Sequence, residues 1–147
     1  MLRPIDPTAP EIAARIVEIQ QSAYTVEAEL IGFDGIPQLA ETKDQVQALG
    51  HMHWVGAFVD DLLVGIIAWE QDGQDVDIDR LAVDPQHTRQ GFGRRLVRSV
   101  PVTGTTSVST GAANLPAVTL YSQEGFEQVG AVEVAPRVHI AQFQRVN

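Results

Sequence analysis

The chain has 147 residues, 44% of them hydrophobic, which suits one sizeable core and a single domain over residues 1–147. With 19 acidic residues against 10 basic ones the net charge is −9, which argues against a nucleic-acid or anionic-membrane partner and is compatible with a cationic substrate. There is no cysteine, no apolar run of membrane-spanning length and no apolar signal core, a pattern that fits the cytoplasm and excludes a disulfide framework or a thiol nucleophile.

Residues 2–5 read as a first strand. Thr8-Ala9-Pro10-Glu11 has the spacing of a capping box, and Ile12, Ile16, Ile19 and Ala23 follow at helical intervals. This helix is expected to fade near Tyr24, because residues 25–41 contain Gly32, Gly35 and Pro37 and read as a loop or broken helix. Residues 42–49 form a short helix ended by Gly50. Residues 53–59 and 62–70 read as strands joined at Asp60-Asp61, a hairpin signal. His51 and His53 lead into the first of these strands and have no neighbouring ligand pair, so no metal is expected there. Trp54 and Trp69 read as core or cleft wall.

Asp72-Gly73 turns the chain into the strand at residues 77–83. There Asp77, Asp79, Leu81 and Val83 alternate with Ile78, Arg80 and Ala82. Alternation places Asp77 and Asp79 on one face. Asp84-Pro85 stops the strand. Gly91 and Gly93 then open a helix carrying Leu96, Val97 and Val100. Backbone N–H groups at such a helix start attract anions. Arg89, Arg94, Arg95 and Arg98 are 4 of the chain's 10 basic residues, and their concentration suggests a phosphate-bearing ligand. The alternative is that the glycines only make a tight turn. Past a break at Pro101 and Gly104, residues 105–110 are β-rich. Asn114 can cap a helix that carries Ala117, Val118, Leu120 and Tyr121, with Gly125 at its end. Two strands, residues 126–134 and 137–146, flank Ala135-Pro136. The order is βααβββαβαββ.

The phosphate loop is not a Rossmann fingerprint, because Leu96 stands where the third Gly belongs, and a P-loop's Gly-Lys-Ser/Thr is absent. With Val83-Asp84-Pro85 before it, the loop resembles the Gln/Arg-x-x-Gly-x-Gly/Ala signature of the GCN5-related N-acetyltransferase (GNAT) family. Thr88 takes the Gln/Arg position, with Arg89 beside it. Residues 114–126, NLPAVTLYSQEGF, resemble that family's second motif.

The resemblance implies an α+β fold: a mixed, mostly antiparallel sheet of about seven strands, splayed at its centre and flanked by about four helices. It implies acetyl-coenzyme A as cosubstrate and no metal. It assigns the cosubstrate to the backbone of Leu81, Ala82 and Val83, to the loop Thr88, Arg89, Gln90, Gly91, Phe92, Gly93 and Arg94, and to Asn114 and Tyr121. Tyr121 would be the general acid toward the leaving thiolate; by itself it also reads as a core tyrosine. Asp79 and Asp77 are the candidate bases, the alternative being a solvated strand face or ion pairing with Arg80 or Arg94. Some relatives place a Glu where this chain has Ser109. The acceptor would be a primary amine of a small molecule or peptide, bound over the N-terminal helices and the last hairpin, with Tyr24, Glu27, Glu29, Phe33, Asp34 and Glu41 in or near the first of these regions; the carboxylates there also read as solvated loop charges. A non-catalytic acyl-coenzyme A sensor of the same fold is the competing function. A homodimer is compatible with the sequence, which does not fix the oligomeric state.

Overall fold

The structure, a computed structural model, describes residues 1–147. Strand β1 (Leu2–Pro4) leads into helix α1 (Pro10–Ile31), and a short helix α2 (Lys43–Gln47) precedes strands β2 (His53–Val59), β3 (Leu62–Asp72) and β4 (Asp75–Val83). Helix α3 (Phe92–Arg98), strand β5 (Thr105–Gly111) and helix α4 (Leu115–Gln123) follow, and the hairpin β6 (Glu127–Ala135) and β7 (Val138–Val146) ends the chain. All seven strands lie in one sheet, in the order β1-β2-β3-β4-β5-β7-β6. Only β4 and β5 run parallel; the other neighbours are antiparallel. The architecture is the mixed, mostly antiparallel one expected from the sequence. No helix is long and apolar enough to cross a membrane.

Apolar alternation along the strands divides the core in two. Ala13, Ile16 and Ile19 of α1 and Val46 of α2 pack with Trp54, Phe58, Leu63 and Ile66 on one face. Phe92, Leu96 and Val97 of α3 and Tyr121 of α4 pack with Ile67, Trp69, Ile78 and Phe143 on the other. The sheet is thus the middle of three layers, with both faces buried by helices.

Three local readings need correction. The helix α1 is not started by a capping box: Ala9 is its N-cap without a side-chain bond, and the Thr8 hydroxyl instead donates to Asp6 Oδ1 at 2.7 Å. Pro10 at the first position, with its fixed φ and missing N–H, sets the start. The capping box of this chain is Thr42 with Gln45, ahead of α2. Nor does α1 fade at Tyr24. It runs on to Ile31 and stops at Gly32, which takes the left-handed φ of 67° that ends helices. The apolar stripe continues through buried Tyr24 and Ile31, and Glu27 between them finds partners in Thr110 of β5 and Asn114 at the start of α4.

The third correction concerns β4. Ala68 pairs with Arg80, but Trp69 pairs with Ile78, so Asp79 is an extra residue in a β-bulge. The bulge shifts the alternation by one. Val76 and Ile78 pack toward α3 and α4, whereas Arg80 and Ala82 lie under α1. Asp77 and Asp79 therefore do not share a face in the simple way that their spacing suggests.

Candidate active site

The parallel strands β4 and β5 pair only at Val76–Thr106 and Asp77–Ser107, and then separate. Beyond that point the β4 backbone bonds to β3 on one side alone, through the pairs Ile67–Leu81, Ile66–Ala82 and Gly65–Val83. Its other edge faces a cavity of about 490 Å³, walled by Asp79, Arg80 and Leu81 from β4 and by Val108, Ser109 and Thr110 from β5. Tyr24 and Glu27 of α1, the 33–38 loop, and Asn114 and Tyr121 of α4 complete most of the wall. Gly111 lets α1 approach this closely: a Cβ there would lie 2.5 Å from Ile31 Cγ2.

Tyr121 is 4% exposed and packs edge-on against Phe126. Burial pushes its phenol well above the ordinary tyrosine range, and the Glu27 charge adds to the shift. The phenol is therefore protonated across the neutral range. Glu27 is half-buried. Its Oε1 accepts from the Thr110 hydroxyl at 2.9 Å and from Asn114 Nδ2 at 3.1 Å, so α1 is tied to β5 and to the start of α4. Asn114 also caps α4, accepting from Ala117 N.

Asp79 lines the same cavity but is not free. Arg80 Nε donates to its Oδ2 at 2.7 Å, and Arg80 Nη1 bonds Glu41 at 2.6 Å and Gln20 at 2.9 Å. Asp77 lies elsewhere, in a shallow hollow with Glu70, Asp75 and Ser107. Partial burial, then the neighbouring Asp79 and Glu70 charges, raise its pKa. Of the two sequence candidates the cavity holds one with Tyr121, already engaged with a guanidinium, and leaves the other outside.

The Gly loop does not line the cavity. Its backbone N–H groups are nonetheless left unpaired. No N–H from residue 88 to residue 94 finds a backbone acceptor, and the first to do so is Arg95, on Gly91 O at 3.1 Å. Gly91 holds a left-handed φ of 80°, which a Cβ would strain. The Thr88 hydroxyl is spent on Pro85 O at 3.2 Å, leaving its amide. The arginines divide. Arg94 and Arg98 turn to α4, where Arg98 grips Glu124 at 2.7 Å and Arg94 lies 3.5 Å from it, and Arg95 covers the Phe92 ring. Neither a hydrogen bond nor an ion pair engages the Arg89 side chain.

Glu124 supplies a pH test. Its hydrogen bond from Arg98 comes first among the causes that hold its carboxyl below the ordinary 4.5. A depressed folded pKa gives stability that is present above the unfolded value and lost as pH falls through the folded one. Glu124→Gln is therefore expected to melt below wild type at pH 7, with the difference shrinking as pH falls below about 4.5. A difference that stays constant down to pH 2 would contradict the ion pair; thermal melts across that range decide.

Sequence reasoning missed the Glu27–Thr110–Asn114 contact and the burial of Arg80. The helical spacing of Tyr24, Glu27 and Ile31 was the available signal for the first; nothing local marks the second. Val134 and Ile140 bring the last hairpin to the cavity, where the resemblance placed it on the acceptor side.

A family model described as "Acetyltransferase (GNAT) domain" matches residues 20–142. The chain is 37% identical to the UPF0157 protein YqkA of Bacillus subtilis over 136 residues, 90% of this chain and 39% of that protein. It is 32% identical to the mycothiol acetyltransferase of Corynebacterium efficiens over 90 residues, 59% of this chain and 28% of that protein. The chain thus spans well under half the length of these two curated relatives. Among solved structures, the PaiA N-acetyltransferase of Thermoplasma acidophilum in complex with coenzyme A superposes with a TM-score of 0.77 at 14% identity, covering 100% of this chain and 98% of that one. That likeness is one of fold.

Proposed function

The chain belongs to the GNAT acetyltransferase family, and from that premise we propose that it moves an acetyl group from acetyl-coenzyme A to a primary amine, the 147 residues acting as one acetyltransferase domain. The observation that carries the reading is the gap between β4 and β5 with Tyr121 on its wall. The unpaired edge at Leu81, Ala82 and Val83 can bond an extended pantetheine arm as a neighbouring strand would, and an N–H there can take the charge of the thioester oxyanion. The free amides of residues 88–94 fit the pyrophosphate, with Arg89 the side chain at hand. Tyr121 donates its O–H toward the departing sulfur. Asp79, held by Arg80, serves to fix that guanidinium at the cavity wall.

Calorimetry with coenzyme A, and thiol release from acetyl-coenzyme A in the presence of amines, test the proposal. Affinity without thiol release would assign the domain to acyl-coenzyme A sensing instead. The variant Gly93→Val checks the loop. A Cβ at Gly93 meets only Leu120 Cδ2 at 3.4 Å, so the fold accepts it, but the branched side chain crowds the amides. Coenzyme A affinity is expected to fall at least about tenfold, the equivalent of ~1.4 kcal/mol. Unchanged affinity in the folded variant would remove the loop from the site.

A further inference from the structure

Among the residues lining the cavity, Ile31, Phe33, Ile36, Val134 and Ile140 are apolar. Two carboxylates, Glu27 and Asp79, also line the cavity. Asp79 is neutralised by Arg80, which Glu41 also holds. Glu27 has no cationic partner in the chain; its two bonds come from a hydroxyl and an amide, both on Oε1. A cavity of about 490 Å³ has the size of a small-molecule site rather than a channel for a folded partner.

We propose that the acceptor is a compact primary amine with an apolar body, and that Glu27 takes its ammonium group and then its proton; the inference rests on the acetyl-transfer reading above. Thr110 of β5 and Asn114, the N-cap of α4, bond Glu27, the Glu27 charge acts on Tyr24 of its own helix and on Tyr121 of α4, and Asp79 and Arg80 of β4 line the same cavity. The Arg80 charge is already matched by two carboxylates, so an entering ammonium has Glu27 as its counter-charge. Desolvation by the apolar wall strengthens that pairing. An amine with a second charge would have to bury it against Phe33 or Ile140, which is strongly unfavourable. In the reaction Glu27 accepts one ammonium proton and passes it to bulk water. The freed nitrogen forms the C–N bond as the C–S bond breaks. The sulfur leaves with the electron pair, and the second nitrogen proton ends on the thiol.

The test uses the full chain with hexylamine, benzylamine, spermidine and a lysine-bearing peptide, following thiol release. The two apolar amines are expected to have the highest kcat/KM. Glu27→Gln keeps the acceptor oxygen for Thr110 and Asn114 and removes only the charge, so the melting temperature and coenzyme A affinity should hold. Its kcat/KM for benzylamine is expected to fall about 10²-fold, the low side of acid–base catalysis. Phe33→Ala should raise KM for benzylamine while leaving kcat in place. Faster turnover of spermidine or the peptide, or an unchanged kcat/KM in Glu27→Gln, would overturn the acceptor assignment and leave acetyl transfer standing. Coenzyme A bound with no thiol released by any of the four amines would overturn both.

Discussion

Tyr121→Phe is expected to slow acetyl transfer at least about tenfold while the fold and coenzyme A affinity persist. The ring sits among Phe126 and Phe143, and phenylalanine keeps those contacts. What is lost is one O–H, which no hydrogen bond within the chain engages. General acids contribute roughly 10²- to 10⁴-fold, and Tyr121 belongs at or below the bottom of that range for a physical reason. Burial raises its pKa far above the roughly 8.5 of a thiol, so it donates a hydrogen bond to the forming thiolate more than a whole proton. The same shift means that Tyr121 adds no basic limb to the rate profile below about pH 10. Melting temperature, coenzyme A calorimetry and single-turnover rate on one preparation check the prediction. A core-only tyrosine would give lower stability with the rate per folded molecule intact.

The second large effect is on stability. Arg80→Met is expected to destabilise the protein by about 3 kcal/mol, the low end for removing one member of a buried ion pair. The side chain of Arg80 is 4% exposed, and that of Glu41 is 17% exposed. Burial opposes the guanidinium charge, yet the bonds it donates to Glu41 and Asp79, with their charges, more than offset it. Without Arg80, Glu41 loses its counter-charge and the fully buried Gln20 keeps only its bond to Glu41. Asp79 is 40% exposed and can turn to water, which is why the low end applies. For a chain of this size the loss corresponds to a melting shift of roughly 6–12 °C. Adding Glu41→Gln to Arg80→Met should recover part of it by deleting the stranded charge. A loss under about 1 kcal/mol in equilibrium unfolding would mean that the network is solvated rather than structural.

Both effects depend on residues whose surroundings come from distant parts of the chain. Arg80 looked like an alternating strand residue, and its partners Gln20 and Glu41 lie 60 and 39 residues away. Glu27 falls in the stretch that reads as loop or broken helix because Gly32, Gly35 and Pro37 lie in it. It is a helix residue, and Thr110 and Asn114, 83 and 87 residues on, satisfy its carboxylate inside the fold. The bulge at Asp79 was equally hidden, since register depends on the neighbouring strand and not on the spacing within β4.

What the sequence determined by itself is what neighbouring residues can specify. The seven strands and four helices, their order, the turn at Asp60-Asp61, the Gly loop ahead of α3 and the cap at Asn114 all follow from short-range periodicity, turn chemistry and capping. The two motif stretches were legible for the same reason, each being continuous in the chain. The tertiary structure alone decided which side chains face the gap between β4 and β5. It separated Asp77 from Tyr121, gave Asp79 to Arg80, turned Arg94 and Arg98 toward Glu124 and brought Glu27 to the cavity. Long-range pairing settles those choices, because a buried charge takes the partner that packing brings near, whatever its distance along the chain.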